Sequence, residues 1–290
     1  MKLLHDGPAG QEELGRRHDD GALRHLTDLS GRVAIVTGSS RGQGEAEARL
    51  LARAGAAVLI ADVLEAEGAA LAEALVADGY EARFAHLDVA NPESWTSTID
   101  LVHAWKGRLD VLVNNAGIIN RTSTNDTSLD GWNRLIAINL TGTFLGIQAA
   151  APLMRATGGG SIVNIASNSA FSGHYDPAYT ASKWGVRGLT RTAAMEYVTW
   201  GIRVNSVCPG LIVTGLNANA AHLRPMIELT PMARSGSPDE VAQLVLFLAS
   251  DASSFITGED FTIDGGFTAG AAYRKVAVES GLLPPSVDRD

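Results

Sequence analysis

The chain has 290 residues, 46% of them hydrophobic and 19% charged, with 31 glycines and a formal net charge of -9 at pH 7. That length suits one large α/β domain or two small ones, and the acidic balance argues against nucleic acid as a partner, because neutralising phosphates needs a basic face. Cys208 stands alone, no run approaches the ~20 apolar residues of a membrane span, and no apolar stretch follows Met1-Lys2-Leu3-Leu4, so a disulfide, a membrane segment and a signal peptide are not predicted. A cytoplasmic protein is expected. The seven histidines are scattered without ligand spacing, so no metal site is predicted.

Residues 1–29 are rich in charge, glycine and histidine without an apolar period, and read as an extension outside the core. Val33-Ala34-Ile35-Val36 is a β-branched apolar run, the pattern of a strand buried on both faces of a parallel sheet. It ends in Thr37-Gly38-Ser39-Ser40-Arg41-Gly42-Gln43-Gly44, and Glu45–Ala54 follows as helix, closed by Gly55. A strand, a glycine-rich turn and a helix start together make a phosphate site. Gly38 permits the turn, Gly42 lets backbone amides approach a pyrophosphate, and Gly44 allows helix and strand to pack closely. A second strand, Ala57–Ala61, delivers Asp62 at the offset where a carboxylate meets the adenosine ribose. It would repel a 2'-phosphate and so favour NAD over NADP, with Arg41 as the competing cation.

Further β-α units follow, with strands at Glu81–Leu87 and Leu109–Val113, so a parallel sheet with helices on both faces is expected and ligands should bind beyond its carboxyl strand ends. Asp88 and Asn114-Asn115-Ala116-Gly117 fall at two of those ends, where Asp88 can hold an adenine amino group. Leu129–Met154 is a long helical pattern interrupted at Asn139-Leu140-Thr141-Gly142; an Asn suits an apolar helix poorly unless its amide is satisfied, so Asn139 is expected either to kink the helix or to bind water. A fifth strand, Ser161–Ala166, leads to Ser167. The loop from Ser169 to Pro177, with Phe171, His174 and Tyr175, is expected to line a pocket. On the next helix Tyr179 and Lys183 stand at i and i+4, on one face. A phenol ionises near pH ~10, and a fixed cation beside it is expected to lower that value toward the range of a proton-transfer group.

Thr-Gly-x-x-x-Gly-x-Gly at Thr37–Gly44, Asn-Asn-Ala-Gly at Asn114–Gly117, and Asn139, Ser167, Tyr179 and Lys183 in that order resemble the short-chain dehydrogenase/reductases of the single-domain type, over about residues 30–267. Pro209-Gly210 followed by Thr214, and Ile263-Asp264-Gly265-Gly266, extend the likeness. Within the family the chain is most similar to bacterial hydroxysteroid and secondary-alcohol dehydrogenases, through stretches such as His86-Leu87-Asp88-Val89. The resemblance implies a Rossmann-type, doubly wound parallel sheet of about seven strands, with residues 1–29 and 268–290 as tails on a 30–267 domain. It implies Asn139, Ser167, Tyr179 and Lys183 as the catalytic set, with Asn139 anchoring a water. It also implies NAD contacts from Gly38, Ser40, Arg41, Gly42, Gln43 and Gly44, from Asp62, Asp88 and Val89, and from Asn115, Ala116 and Gly117. Tyr179, Lys183, Pro209, Gly210, Ile212 and Thr214 complete the implied cofactor set.

Two features depart from the pattern: Gln43, where the family usually has an aliphatic residue, and the tails, of which Leu282-Leu283-Pro284-Pro285 would cover an active site or a subunit contact. Thr214–Arg234 is amphipathic, with Leu216, Leu223, Met226, Ile227, Leu229 and Met232, and lies where the family places a substrate lid. Its apolar residues favour a small hydrophobic alcohol or ketone, and no basic cluster marks a phosphorylated or carrier-protein substrate. The helix Pro238–Ala249 and strand Asp260–Ile263 would build the contact of a homotetramer or dimer. Two other readings stand beside this one: an NADPH-dependent ketoreductase acting on sugars, polyols or 3-oxoacyl thioesters, and a protein of the same fold that senses nucleotide without chemistry.

Overall fold

Seven parallel strands, in the order β3-β2-β1-β4-β5-β6-β7, form the sheet of a computed structural model that describes residues 26–215 and 220–285. The strands are β1 (Val33–Thr37), β2 (Ala57–Asp62), β3 (Ala82–His86), β4 (Val111–Asn114), β5 (Gly160–Ile165), β6 (Ile202–Pro209) and β7 (Asp260–Ile263). β1 and β2 are buried at every position, as their unbroken apolar runs predict for strands covered on both faces. Alternate residues serve opposite faces. Ala34, Val36, Val58, Ile60, Val111 and Val113 join one core layer, while Ile35, Leu59 and Leu112 join the other.

Helices α1 (Gly42–Arg53), α2 (Glu65–Ala77), α3 (Pro92–Lys106), α4 (Leu129–Ile136), α5 (Gly142–Ala156), α6 (Pro177–Tyr197), α7 (Leu223–Leu229), α8 (Pro238–Ala249) and α9 (Phe267–Glu279) complete the described fold. Because β1 pairs with both β2 and β4, the strand order reverses there. That reversal opens a crevice beyond the carboxyl ends of the strands.

The break expected at Asn139 is a π turn, Ala137–Thr141, joining α4 to α5. The joined stretch Leu129–Ala156 is, by length and composition, apolar enough to cross a membrane, which corrects the reading that no run approaches that limit. Ile147, Ala150, Ala151 and Met154 on this stretch are buried in the core layer that also holds Ile35 and Leu59. Beyond the expected elements, β6 runs unread between Ile202 and Pro209, and residues 267–279 form a helix that packs near α7. The expectation for residues 1–29 falls mostly outside the described residues. Leu29 is fully buried, however, and its amide donates to Ala54 O at 2.7 Å.

Candidate active site

The β1–α1 turn is a cradle closed on one side and open on the other. Gly38 has a φ of +63°, and a Cβ there would lie 2.8 Å from Ala116 Cα, so the turn tolerates no side chain against the end of β4. Gly42, also left-handed at +64°, meets nothing closer than 3.7 Å and leaves the start of α1 open. Asn115 ties the two strand ends together: its Nδ2 donates to Thr37 O and Gly38 O at 2.9 and 3.1 Å, and its Oδ1 accepts from Gln43 Nε2 at 3.2 Å. The same Gln43 amide donates to Glu47 Oε1 at 3.0 Å, so the departure at Gln43 is built into a bridge under the turn.

A cavity of about 460 Å³ runs along this cradle, lined by Gly38, Arg41, Gly42, Gln43, Gly44, Asp62, Asp88, Val89, Asn115, Ala116, Gly117 and Thr214, with Arg134 added by the fold. Ser40 does not line it. Its amide instead donates to Asp62 Oδ2 at 2.9 Å, and Leu64 N–H donates to Asp62 Oδ1 at 3.1 Å, so two backbone amides fix the carboxylate at the cavity wall. The open N-terminus of α1, the glycines at 38, 42 and 44 of the turn and an acid at the end of β2 fit an adenosine pyrophosphate.

A second cavity, of about 310 Å³, shares Gln43, Asn115, Gly117 and Ile118 with the first and holds Ser167, Tyr179, Lys183, Pro209, Gly210 and Ile212. The two form one cleft across the strand ends. Burial holds the Tyr179 phenol pKa above its ordinary value, against the smaller downward pull of the Ser167 hydroxyl just beyond β5. This reverses the expectation drawn from the i, i+4 spacing. Lys183 Nζ donates to Ile165 O at 2.7 Å and lies 5.6 Å from the Tyr179 ring centre, and burial lowers its own pKa to about 8.

Asn139 is buried, and its side chain is paired twice with one residue: Oδ1 accepts from Ile118 N at 2.8 Å and Nδ2 donates to Ile118 O at 2.9 Å. It therefore fixes the loop after β4 rather than lining the cavity. Phe171 lies under the Arg187 guanidinium and lines a different cavity, beside β7, while His174 and Tyr175 line this one. Of the apolar residues expected in a lid, Met226 alone among the described ones lines this cavity, and Leu216 lies outside the described residues.

The sequence reading missed Asp176. Its side chain caps α6 by accepting from Tyr179 N at 3.0 Å, and its other oxygen accepts from Asn120 N and Arg121 N at 2.8 Å each. An Asp followed by Pro at a helix start is the local signal that could have found it. Asp176→Asn is expected to lower unfolding free energy by about 1–3 kcal/mol, since an amide cannot accept from all three donors. Urea denaturation measures this, and an unchanged midpoint would show the three bonds to be dispensable.

The family described as Enoyl-(Acyl carrier protein) reductase matches residues 38–268. The chain is 48% identical over 253 residues to the trans-4-hydroxycyclohexanecarboxylate dehydrogenase of Sinomonas cyclohexanicum, covering 85% of this chain and 96% of that one. It is 44% identical over 258 residues to a 3-alpha-(or 20-beta)-hydroxysteroid dehydrogenase of Mycobacterium tuberculosis, covering 88% and 97%. Among solved structures, a gluconate 5-dehydrogenase from Burkholderia cenocepacia in complex with NADP and tartrate superposes with a TM-score of 0.82 at 38% identity, covering 86% and 99%. The chain belongs to the short-chain dehydrogenase/reductase family, and it is an oxidoreductase of that family's nicotinamide-dinucleotide-using kind.

Proposed function

We propose that the protein interconverts a compact hydrophobic secondary alcohol and its ketone with NAD(H). The observation that carries this reading is the opening of Ser167, Tyr179 and Lys183 into one cavity continuous with the dinucleotide cradle. A bound nicotinamide would take up or supply the hydride at the carbinol carbon. Tyr179 Oη exchanges the hydroxyl proton, and Ser167 Oγ donates to the substrate oxygen as negative charge grows on it. Lys183 has two ammonium protons beyond the one given to Ile165 O, and these would hold the ribose hydroxyls of a bound nicotinamide. Asn139 acts by holding the Ile118 backbone at the cavity wall. Relatives named for cyclohexanol and hydroxysteroid substrates support a cyclic alcohol. Absorbance of NADH during incubation with a panel of cyclic secondary alcohols tests the reading, and absence of turnover with either nicotinamide would sink it.

The cofactor preference rests on Asp62. Arg41 and Arg134 line the same cavity, and neighbours carrying NADP favour the NADPH-dependent ketoreductase as the second reading. Asp62→Asn removes the charge and keeps an acceptor for one of the two amides, Ser40 N or Leu64 N, which bond different carboxylate oxygens. It is expected to narrow an NADH-over-NADPH preference by about tenfold or more, equivalent to ~1.4 kcal/mol, read as the ratio of the two dissociation constants by fluorescence titration. Wild-type protein that binds NADPH more tightly would transfer the assignment to the second reading.

A further inference from the structure

Three basic side chains that lie far apart in the sequence meet in the Tyr179 cavity. Arg121, from the loop after β4, His174, from the loop before α6, and His222, at the start of α7, all line it. No Asp or Glu among the described residues does, in a chain whose net charge is -9. Asp176 lies behind the cluster, and both its oxygens are already taken by the amides of Asn120, Arg121 and Tyr179. The Arg121 guanidinium forms no ion pair among the described residues.

The position of Arg121 is costly to build. Its φ of +58° is left-handed, a conformation that strains a residue with a Cβ, and the hydrogen bond its backbone N–H donates to Asp176 Oδ2 holds it there. His174 Nδ1 accepts from Asp176 N at 3.1 Å, which leaves its Nε2 as the ring's donor when neutral. Arg121 and His222 are close enough to His174 that their charges add to burial in pushing its pKa down, against the pull of Asp176. None of the three is needed for hydride or proton transfer. Ile118, Ile119, Tyr175, Leu211 and Met226 supply apolar surface to the same cavity.

We propose that this cluster is an anion subsite, so that the substrate is a hydroxy acid: a compact apolar ring or chain with the secondary alcohol at Tyr179 and a carboxylate facing Arg121 and His222. The inference rests on the alcohol dehydrogenase reading above and adds the charged end of the substrate to it. A guanidinium meets a carboxylate through two parallel hydrogen bonds, which gives orientation as well as attraction. The volume also fits a small acid. About 310 Å³ is near the lower end of the ~300–1,000 Å³ of small-molecule pockets, and the nicotinamide must share it.

The test uses the full chain with NAD and three alcohols of one shape: 4-hydroxycyclohexanecarboxylate, its carboxamide, and cyclohexanol. The expected result is a kcat/KM at least tenfold higher for the acid than for the carboxamide. Arg121→Gln should lower the acid's value tenfold or more and the carboxamide's no more than threefold, Arg121→Lys should recover part of the loss, and His222→Gln should have a smaller effect of the same kind. A second measurement needs no variant: cyclohexanecarboxylate should inhibit wild-type oxidation of cyclohexanol competitively at least tenfold more strongly than cyclohexanecarboxamide. Equal turnover of acid and carboxamide, or equal inhibition, would overturn the anion subsite and leave the dehydrogenase reading standing. Failure of all three alcohols to turn over with either nicotinamide would overturn both.

Discussion

Tyr179→Phe is expected to lower turnover about a thousandfold or more in both directions while leaving the dissociation constant for NADH within a few-fold of wild type. General acid–base catalysis contributes typically ~10²–10⁴-fold, so removing the one hydroxyl that exchanges the substrate proton reaches the upper part of that range. The ring itself stays, and with it the packing beside His174 and the wall that Lys183 shares. Burial holds the phenol above its ordinary pKa, so it enters ketone reduction already protonated and able to donate. In the alcohol direction the base form is scarce at neutral pH, and wild-type kcat/KM should rise as pH increases; the residual rate of the Phe variant should lose that rise. Stopped-flow turnover and NADH fluorescence titration separate the two effects. A variant that loses NADH binding together with turnover would show Tyr179 to be a structural residue.

The parts of this site that the sequence disclosed are those whose chemistry is local. The run Val33–Val36, the glycine turn after it and Asp62 at the next strand end are contiguous signals; the fold buries the run as β1 and places Gly38, Arg41, Gly42, Gln43, Gly44 and Asp62 on one cleft, while Ser40 turns away to hold Asp62. Spacing alone put Tyr179 and Lys183 on one face, yet it carried no information on burial, and burial decides both pKa values. Asn139 was recognisable as an amide needing partners, but the partner, Ile118, is 21 residues away and is found only through the loop after β4. Arg121, His174 and His222 span about a hundred residues, so no window shows them as a cluster. β6 escaped because its polar Arg203 and Asn205 interrupt the apolar pattern; the fold satisfies them with carbonyls of Leu248, Ser250 and Ile256. The helix Phe267–Glu279 carries Gly270 in a non-helical conformation, which hides it from periodicity.

Glu47 supplies the largest expected effect on stability. It is fully buried on the face of α1 that also buries Ala48, Leu51 and Ala52; Oε1 accepts from Gln43, and Oε2 has no partner among the described residues. Burial pushes its pKa up from 4.5 to about 8, against the smaller opposing effect of the Gln43 bond, so the folded protein carries a neutral acid there at pH 7. Below pH 4.5 the folded and unfolded chains are both protonated at this site, and it has no effect on the pH dependence. As pH rises further the unfolded chain releases a proton that the folded chain keeps, and stability falls by about 1.4 kcal/mol per unit. The fall ends near pH 8, where the folded group ionises too, after a total of roughly 4–5 kcal/mol. His174, lowered by burial, and Lys183, lowered to about 8, act with the opposite sign, His174 up to its ordinary value of 6.5 and Lys183 above pH 8. The clean observable is therefore the difference between Glu47→Gln and wild type. The substituted amide retains an acceptor for Gln43 and cannot ionise, so urea unfolding at pH 5, 6, 7 and 8 should show the variant near or slightly below wild type at pH 5 and progressively above it afterwards. Parallel curves across that range would mean that the Glu47 carboxylate is already ionised and solvated in the folded protein.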